Sequence, residues 1–115
     1  MEHHDLLAGF IRLHVLHHAA EHEIYGLWMI EELASHGYRL SPGTLYPMLH
    51  AMEKHGYLTS RAERVGRATR KLYRATEYGL QGLALAKQRI VEFTGEALKA
   101  PPAPGVADEP GTGRR

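Results

Sequence analysis

His14, His18 and His22 recur at every fourth residue. On a helix that spacing lines three imidazoles along one face, where pairs of them suit Zn²⁺ or a similar ion. Glu21 and Glu23 stand beside them as carboxylate donors. The run His18-Ala19-Ala20-Glu21-His22 also spells the H-x-x-E-H signature of one class of zinc protease. A protease is excluded, because 115 residues are too few for such an enzyme and no distant third ligand is evident. Two readings of these histidines stay open: a metal-sensing set, or polar residues on a half-buried helix face.

A second group is cationic. Arg61, Arg64, Arg67, Arg70, Lys71 and Arg74 fall within residues 61–75 beside a single acid, Glu63, giving that segment a charge of +5. Residues 1–36 carry −5, residues 37–60 carry +1 and residues 76–115 carry 0. The formal net charge of +1 therefore averages an acidic end with a compact basic segment.

Composition removes other chemistry. The absence of cysteine excludes a disulfide framework, Cys-ligated zinc fingers and thiol catalysis. There is no Gly-rich phosphate loop and no credible nucleophile–base pair, so no enzyme and no required cofactor are expected. At 43% hydrophobic and 23% charged residues the chain reads as one soluble globular domain. No apolar run is long enough for a membrane helix, and the opening Met1-Glu2-His3-His4-Asp5 is not basic like a signal peptide. A cytoplasmic location and no membrane partner are the expectation.

The elements that must carry these groups follow from periodicity. Leu6, Phe10, Leu13 and Leu16 predict a helix over 5–22, and Leu27, Ile30 and Leu33 one over 24–36 that Gly37 stops. Ser41-Pro42 is a strong start for a third helix ending near His55-Gly56, with Leu45, Leu49 and Met52 inward. Pro47 should bend it, having no N–H to give. Residues 57–64 and 69–75 read as two strands joined at Val65-Gly66-Arg67-Ala68. Thr76 then caps a long helix on which Leu83, Ala86, Ile90, Phe93 and Ala97 form a seam at 3-4-3-4 spacing. Residues 100–115, with four prolines and three glycines, read as a disordered tail.

The resulting class is mainly α with a small β-hairpin. Its order of elements is that of a winged helix-turn-helix followed by a C-terminal dimerisation helix: 1–75 for DNA binding, 76–99 for pairing. In that arrangement the third helix enters the major groove and the hairpin meets phosphates. Thr44, Pro47, His50, Ala51 and Lys54 then face outward, while Ser41, Thr44 and Tyr46 are placed to bond phosphates at the helix start. Arg64, Arg67, Arg70 and Lys71 serve the wing, with Arg70 and Lys71 on opposite faces. The alternatives are an ordinary surface helix and a solvated hairpin, or a winged-helix adaptor that binds protein. Leu6, Phe10 and Leu13 with Leu83, Ile90 and Phe93 supply apolar surface for a homodimer, or else pack within one chain. Trp28 is either core or a platform for an aromatic effector.

The stretches Ile24-Tyr25-Gly26, Gly37 to Leu49 (with Gly43-Thr44-Leu45-Tyr46-Pro47), Met52 to Leu58, and Gly66 to Gly79 resemble the PadR family of bacterial transcriptional regulators over about residues 6–98. The resemblance implies a dimeric repressor of neighbouring genes on double-stranded DNA, with terminal helices in contact across the dimer. It also implies an effector, which in the family can be an aromatic compound, a drug or, in some members, a metal. Small molecules can bind between subunits in such dimers, which directs attention to Trp28.

Overall fold

Four helices and one hairpin follow the expected order: α1 (His4–Glu21), α2 (Gly26–Ser35), α3 (Pro42–Lys54), β1 (Leu58–Val65), β2 (Ala68–Ala75) and α4 (Glu77–Ala97). The computed structural model describes residues 2–99, and the tail expected at 100–115 lies outside them. The fold is mainly α with one antiparallel hairpin, a winged helix-turn-helix with a long final helix.

The chain's punctuation explains the boundaries. Ser41 is extended (φ −84°, ψ 161°) and Pro42 opens α3, where its fixed φ is already helical. Gly37 and Gly56 close α2 and α3 with φ of 92° and 88°, a region that residues with a Cβ avoid. Pro47 does not divide α3. Thr76 Oγ1 accepts from the Gly79 N–H at 3.0 Å and donates to the Gly56 carbonyl, joining the start of α4 to the end of α3.

The core lies among α1, α2 and α3 and is closed by the hairpin base. Ile11, Val15, Met29, Leu33, Leu45 and Leu49 are fully enclosed. Two expected stripes are corrected. On α1 the buried positions are Ala8, Ile11, Val15, Leu16 and Ala19, leaving Leu6 and Phe10 exposed. This helix is apolar on two sides, so one periodic set can face the core and the other stay free. On α2 the buried set is Gly26, Met29 and Leu33, whereas Leu27 points to solvent.

β1 runs one residue later than expected, and β2 starts one residue earlier but ends at Ala75 as expected. Val65 pairs with Ala68, so only Gly66 and Arg67 form the turn. Gly66 has φ 62° and Arg67 has no positive φ, the pattern of a type II′ hairpin turn. Ile24 and Tyr73 exchange backbone hydrogen bonds of 2.9 and 2.7 Å, so the link before α2 forms a one-residue third strand. This pairing is why α2 starts at Gly26 and not at 24.

Leu83 corrects the seam on α4. It is 7% exposed and belongs to the core of its own chain. Beyond it, α4 leaves the body, and only Ala86 is even half-buried from 84 to 97. The first turn of α4 docks so closely that a Cβ on Gly79 would overlap the Tyr57 carbonyl and come within 3.1 Å of Leu16 Cδ1. Alanine is normally the better helix residue by about 1 kcal/mol. Here Gly79→Ala should instead lower stability by about 1–3 kcal/mol, because the obstacle is backbone. The urea midpoint should fall with an unchanged slope. A rise in midpoint would mean that α4 docks differently.

Candidate nucleic-acid interface

On α3 the inward Leu45, Met48, Leu49 and Met52 fix the opposite face outward. Pro47, His50, Ala51 and Lys54 are exposed there, and Thr44 is half-buried. Ser41 Oγ lies 3.4 Å from Thr44 Oγ1 at the helix start, the positive end of the helix dipole, which favours anions. Arg39 was not anticipated, yet it lines a small pocket there with Ser41 and Thr44. A base two residues before an N-cap was the available signal. Tyr46 is half-buried, and its phenol lies where a Cβ on Gly26 would be. It thus packs α3 against α2.

The wing is fastened by three of its own cations. Glu23, in the link before α2, accepts from Arg61 Nε at 2.6 Å and from Arg61 Nη2 at 2.7 Å. The hydrogen bond from Arg61 holds the Glu23 carboxyl below its ordinary range. Arg70 Nε donates to Glu63 Oε1 at 2.9 Å, and its guanidinium covers the Tyr25 ring at 4.0 Å. Lys71 Nζ is 3.7 Å from Glu53 Oε1, while Glu53 Oε2 accepts from Ser60 Oγ at 2.8 Å. Glu53 belongs to α3, so it ties the wing to that helix.

The register sorts the faces. Ser60/Tyr73, Ala62/Lys71 and Arg64/Thr69 share the side that meets Glu53 of α3. Glu63/Arg70 and Arg61/Leu72 share the other side, towards Glu23 and Tyr25. Arg70, expected as a wing contact, has a carboxylate partner and faces away from α3. Lys71 faces α3 but has a carboxylate partner. Arg64, on the α3 side, and Arg67, at the turn, are exposed and have no carboxylate within 4.0 Å among the described residues.

The chain matches the family model for the Transcriptional regulator PadR-like family over residues 15–85. It belongs to the PadR-like family of transcriptional regulators. It is 47% identical over 88 residues to the transcriptional regulator Rv3488 of Mycobacterium tuberculosis, covering 76% of this chain and 82% of that protein. A PadR family regulator from Eggerthella lenta superposes with TM-score 0.71 at 30% identity, over 84% of this chain and 88% of the other. A PadR-like regulator from Bacillus cereus gives 0.70 at 25% identity, over 84% and 99%. The chain is a transcriptional regulator and not an enzyme.

Two further features of this PadR-like chain stand apart from the reading head. Leu6, Phe10 and Leu13 of α1 face Leu85, Ile90 and Phe93 of α4 across an open apolar groove. Leu6 and Phe93 are 77% and 63% exposed. Trp28 does not line that groove. It lies edge-on between His18 and His22, at 5.3 and 5.2 Å, in the α1–α2 contact.

The expected histidine set is changed in one member. His22 Nδ1 donates to the Glu23 carbonyl at 2.9 Å, which turns its ring towards the link. His36, at the end of α2, takes its place beside His14 and His18. Burial, then the neighbouring rings of His36, His18 and His17, holds His14 below the ordinary histidine range, with Glu32 opposing. Burial also lowers His18, again against Glu32. No helix among the described residues is long and apolar enough to cross a membrane.

Proposed function

We propose that the chain acts in the cytoplasm as a homodimeric, sequence-specific DNA-binding repressor that an effector releases. The observation that carries this reading is the outward face of α3 with Arg64 on the α3 side of the wing and Arg67 at its tip, two exposed cations without a carboxylate partner among the described residues. A helix that fits the major groove and a cationic tip beside it match the two layers of a duplex, base edges and flanking phosphates. Ser41, Thr44 and Arg39 add phosphate contacts at the α3 start, while His50 and Lys54 reach towards bases. The exposed groove between α1 and α4 favours a second copy, since its apolar surface is costly to leave in water. Two copies would present two α3 helices to successive turns of one face of the duplex. An effector that binds the dimer and alters the angle between the heads would weaken binding through linkage.

The test is selection of duplexes by the full chain from a random pool, followed by titration of DNA upstream of its own gene. An inverted repeat with half-site centres about 10 bp apart, or a multiple of one helical turn, is expected. Enrichment of no sequence, with no salt-sensitive binding upstream, would sink the reading in favour of a protein-binding adaptor.

A further inference from the structure

We propose that His14, His18, Glu32 and His36 form a site for one divalent transition-metal ion of the zinc type, joining α1 to the end of α2. His14 and His18 are an i,i+4 pair on α1, while Glu32 and His36 carry the same spacing at the end of α2. Each pair projects from one face of its helix, and the two faces meet. A donor atom from each of His14, His18 and His36 lies within 4.8 Å of the other two. Glu32 Oε2 sits between two of them, 3.3 Å from His18 Nε2 and 3.2 Å from His36 Nε2. Donors about 2.1 Å from a tetrahedral ion stand about 3.4 Å apart, so both Glu32 separations already have the length of a coordination edge. The His14 ring is 4.7 Å from that of His36, tilted by 32°. Small side-chain rotations would bring His14 into the fourth position.

A plain polar contact would not need this composition. Glu32 hydrogen-bonds one imidazole, that of His36, and neither the His14 nor the His18 ring has a hydrogen-bond partner among the described residues. The neighbouring His36, His18 and His17 disfavour a proton on His14, and the neutral ring is the form that ligates. Burial of His14 and His18 acts in the same direction. Imidazole with one carboxylate suits zinc, cobalt, nickel and copper, and a set of four protein ligands leaves no open position for catalysis. The neighbouring group of His17, His18 and Glu21 comes from one helix only and offers three donors.

The location gives the ion a lever. His36 immediately precedes Gly37 and the link into α3, while α1 carries Leu6 and Phe10 of the apolar groove. Closing the four ligands on an ion would fix the reading head against the helix that faces a second copy. This regulatory half rests on the DNA-binding reading above, whereas the site itself does not.

Calorimetry of the full chain with Zn²⁺ and visible spectra with Co²⁺ test the site without DNA. One Zn²⁺ per chain is expected, saturating near equimolar ion at roughly 50 μM protein. His14→Ala, Glu32→Ala and His36→Ala should each weaken it at least about 10-fold, while His17→Ala and His22→Ala leave it unchanged. The double variant His3→Ala/His4→Ala controls for the amino-terminal histidines and should bind as the parent does. Far-UV circular dichroism confirms that each variant is folded. No zinc binding, or loss with His17→Ala but not His36→Ala, overturns the site. Saturating Zn²⁺ should then change the affinity for the selected duplex at least about 5-fold. An unchanged affinity overturns the lever but keeps the site. A chain that binds zinc through these residues and no DNA at all overturns the function proposed above instead.

Discussion

Replacing Phe93 with aspartate is expected to yield a monomer that no longer holds an inverted repeat. Phe93 is 63% exposed on the projecting half of α4, across the groove from Leu6 and Phe10. In a two-fold dimer every such position occurs twice, so one substitution removes two buried aromatic rings. Burying a phenylalanine is worth about 1.5–3 kcal/mol, which makes the loss about 3–6 kcal/mol per dimer before any charge is counted. That corresponds to roughly 10²–10⁴ in the dimer dissociation constant. Two carboxylates stranded in the apolar groove add to it. Sedimentation velocity should then report a monomer at concentrations where the parent is dimeric. Affinity for a full inverted repeat should fall by roughly 10²–10⁴, since the second head no longer binds at high local concentration. Gln88→Asp, on a face of α4 that does not line the groove, should leave the dimer intact. A dimeric Phe93→Asp would place the subunit contact elsewhere.

The features legible in the sequence are those that local chemistry dictates. Ser41-Pro42 and Thr76 start helices because they suit the first turn, and Gly37, Gly56 and Gly66 mark positive φ because a side chain there is strained. What stayed hidden depends on partners far along the chain. The one-residue strand at Ile24 has no pattern of its own and exists only because Tyr73 lies beside it. The two apolar sides of α1 are equivalent until the other helices choose between them. Leu83 fits the seam spacing but lies low enough on α4 to enter the core. Among the cations, sequence gives the number of charges but not their pairing, and Arg61 meets a carboxylate 38 residues away. The histidine set shows the same limit. The i,i+4 rule found His14, His18 and His22 on one helix, but Glu32 and His36 obey that rule on another, and only the α1–α2 contact brings the two pairs together.

The pairing of the wing cations leads to a sharp separation among arginines that look alike in sequence. Changing Arg64 and Arg67 together to alanine should reduce binding to all duplexes, whatever their sequence. Each phosphate neutralised by a cation adds about 0.9 to the slope of log K against log salt. A dimer carrying the double variant loses four cations, so its slope should flatten by about 3.6. At 0.15 M salt the same relation predicts an affinity lower by roughly 10³. Arg70→Ala should behave differently, although it too removes an arginine of the hairpin. Its guanidinium is held by Glu63 and Tyr25 on the side away from α3, so the slope should move by less than about 1 per dimer. Both measurements are made on one selected duplex between about 0.05 and 0.3 M salt, with a random duplex as comparison. Equal effects from Arg70→Ala and from the double variant would mean that the wing turns its other face to DNA. An unchanged double variant would remove the wing from the interface and leave α3 to bind alone.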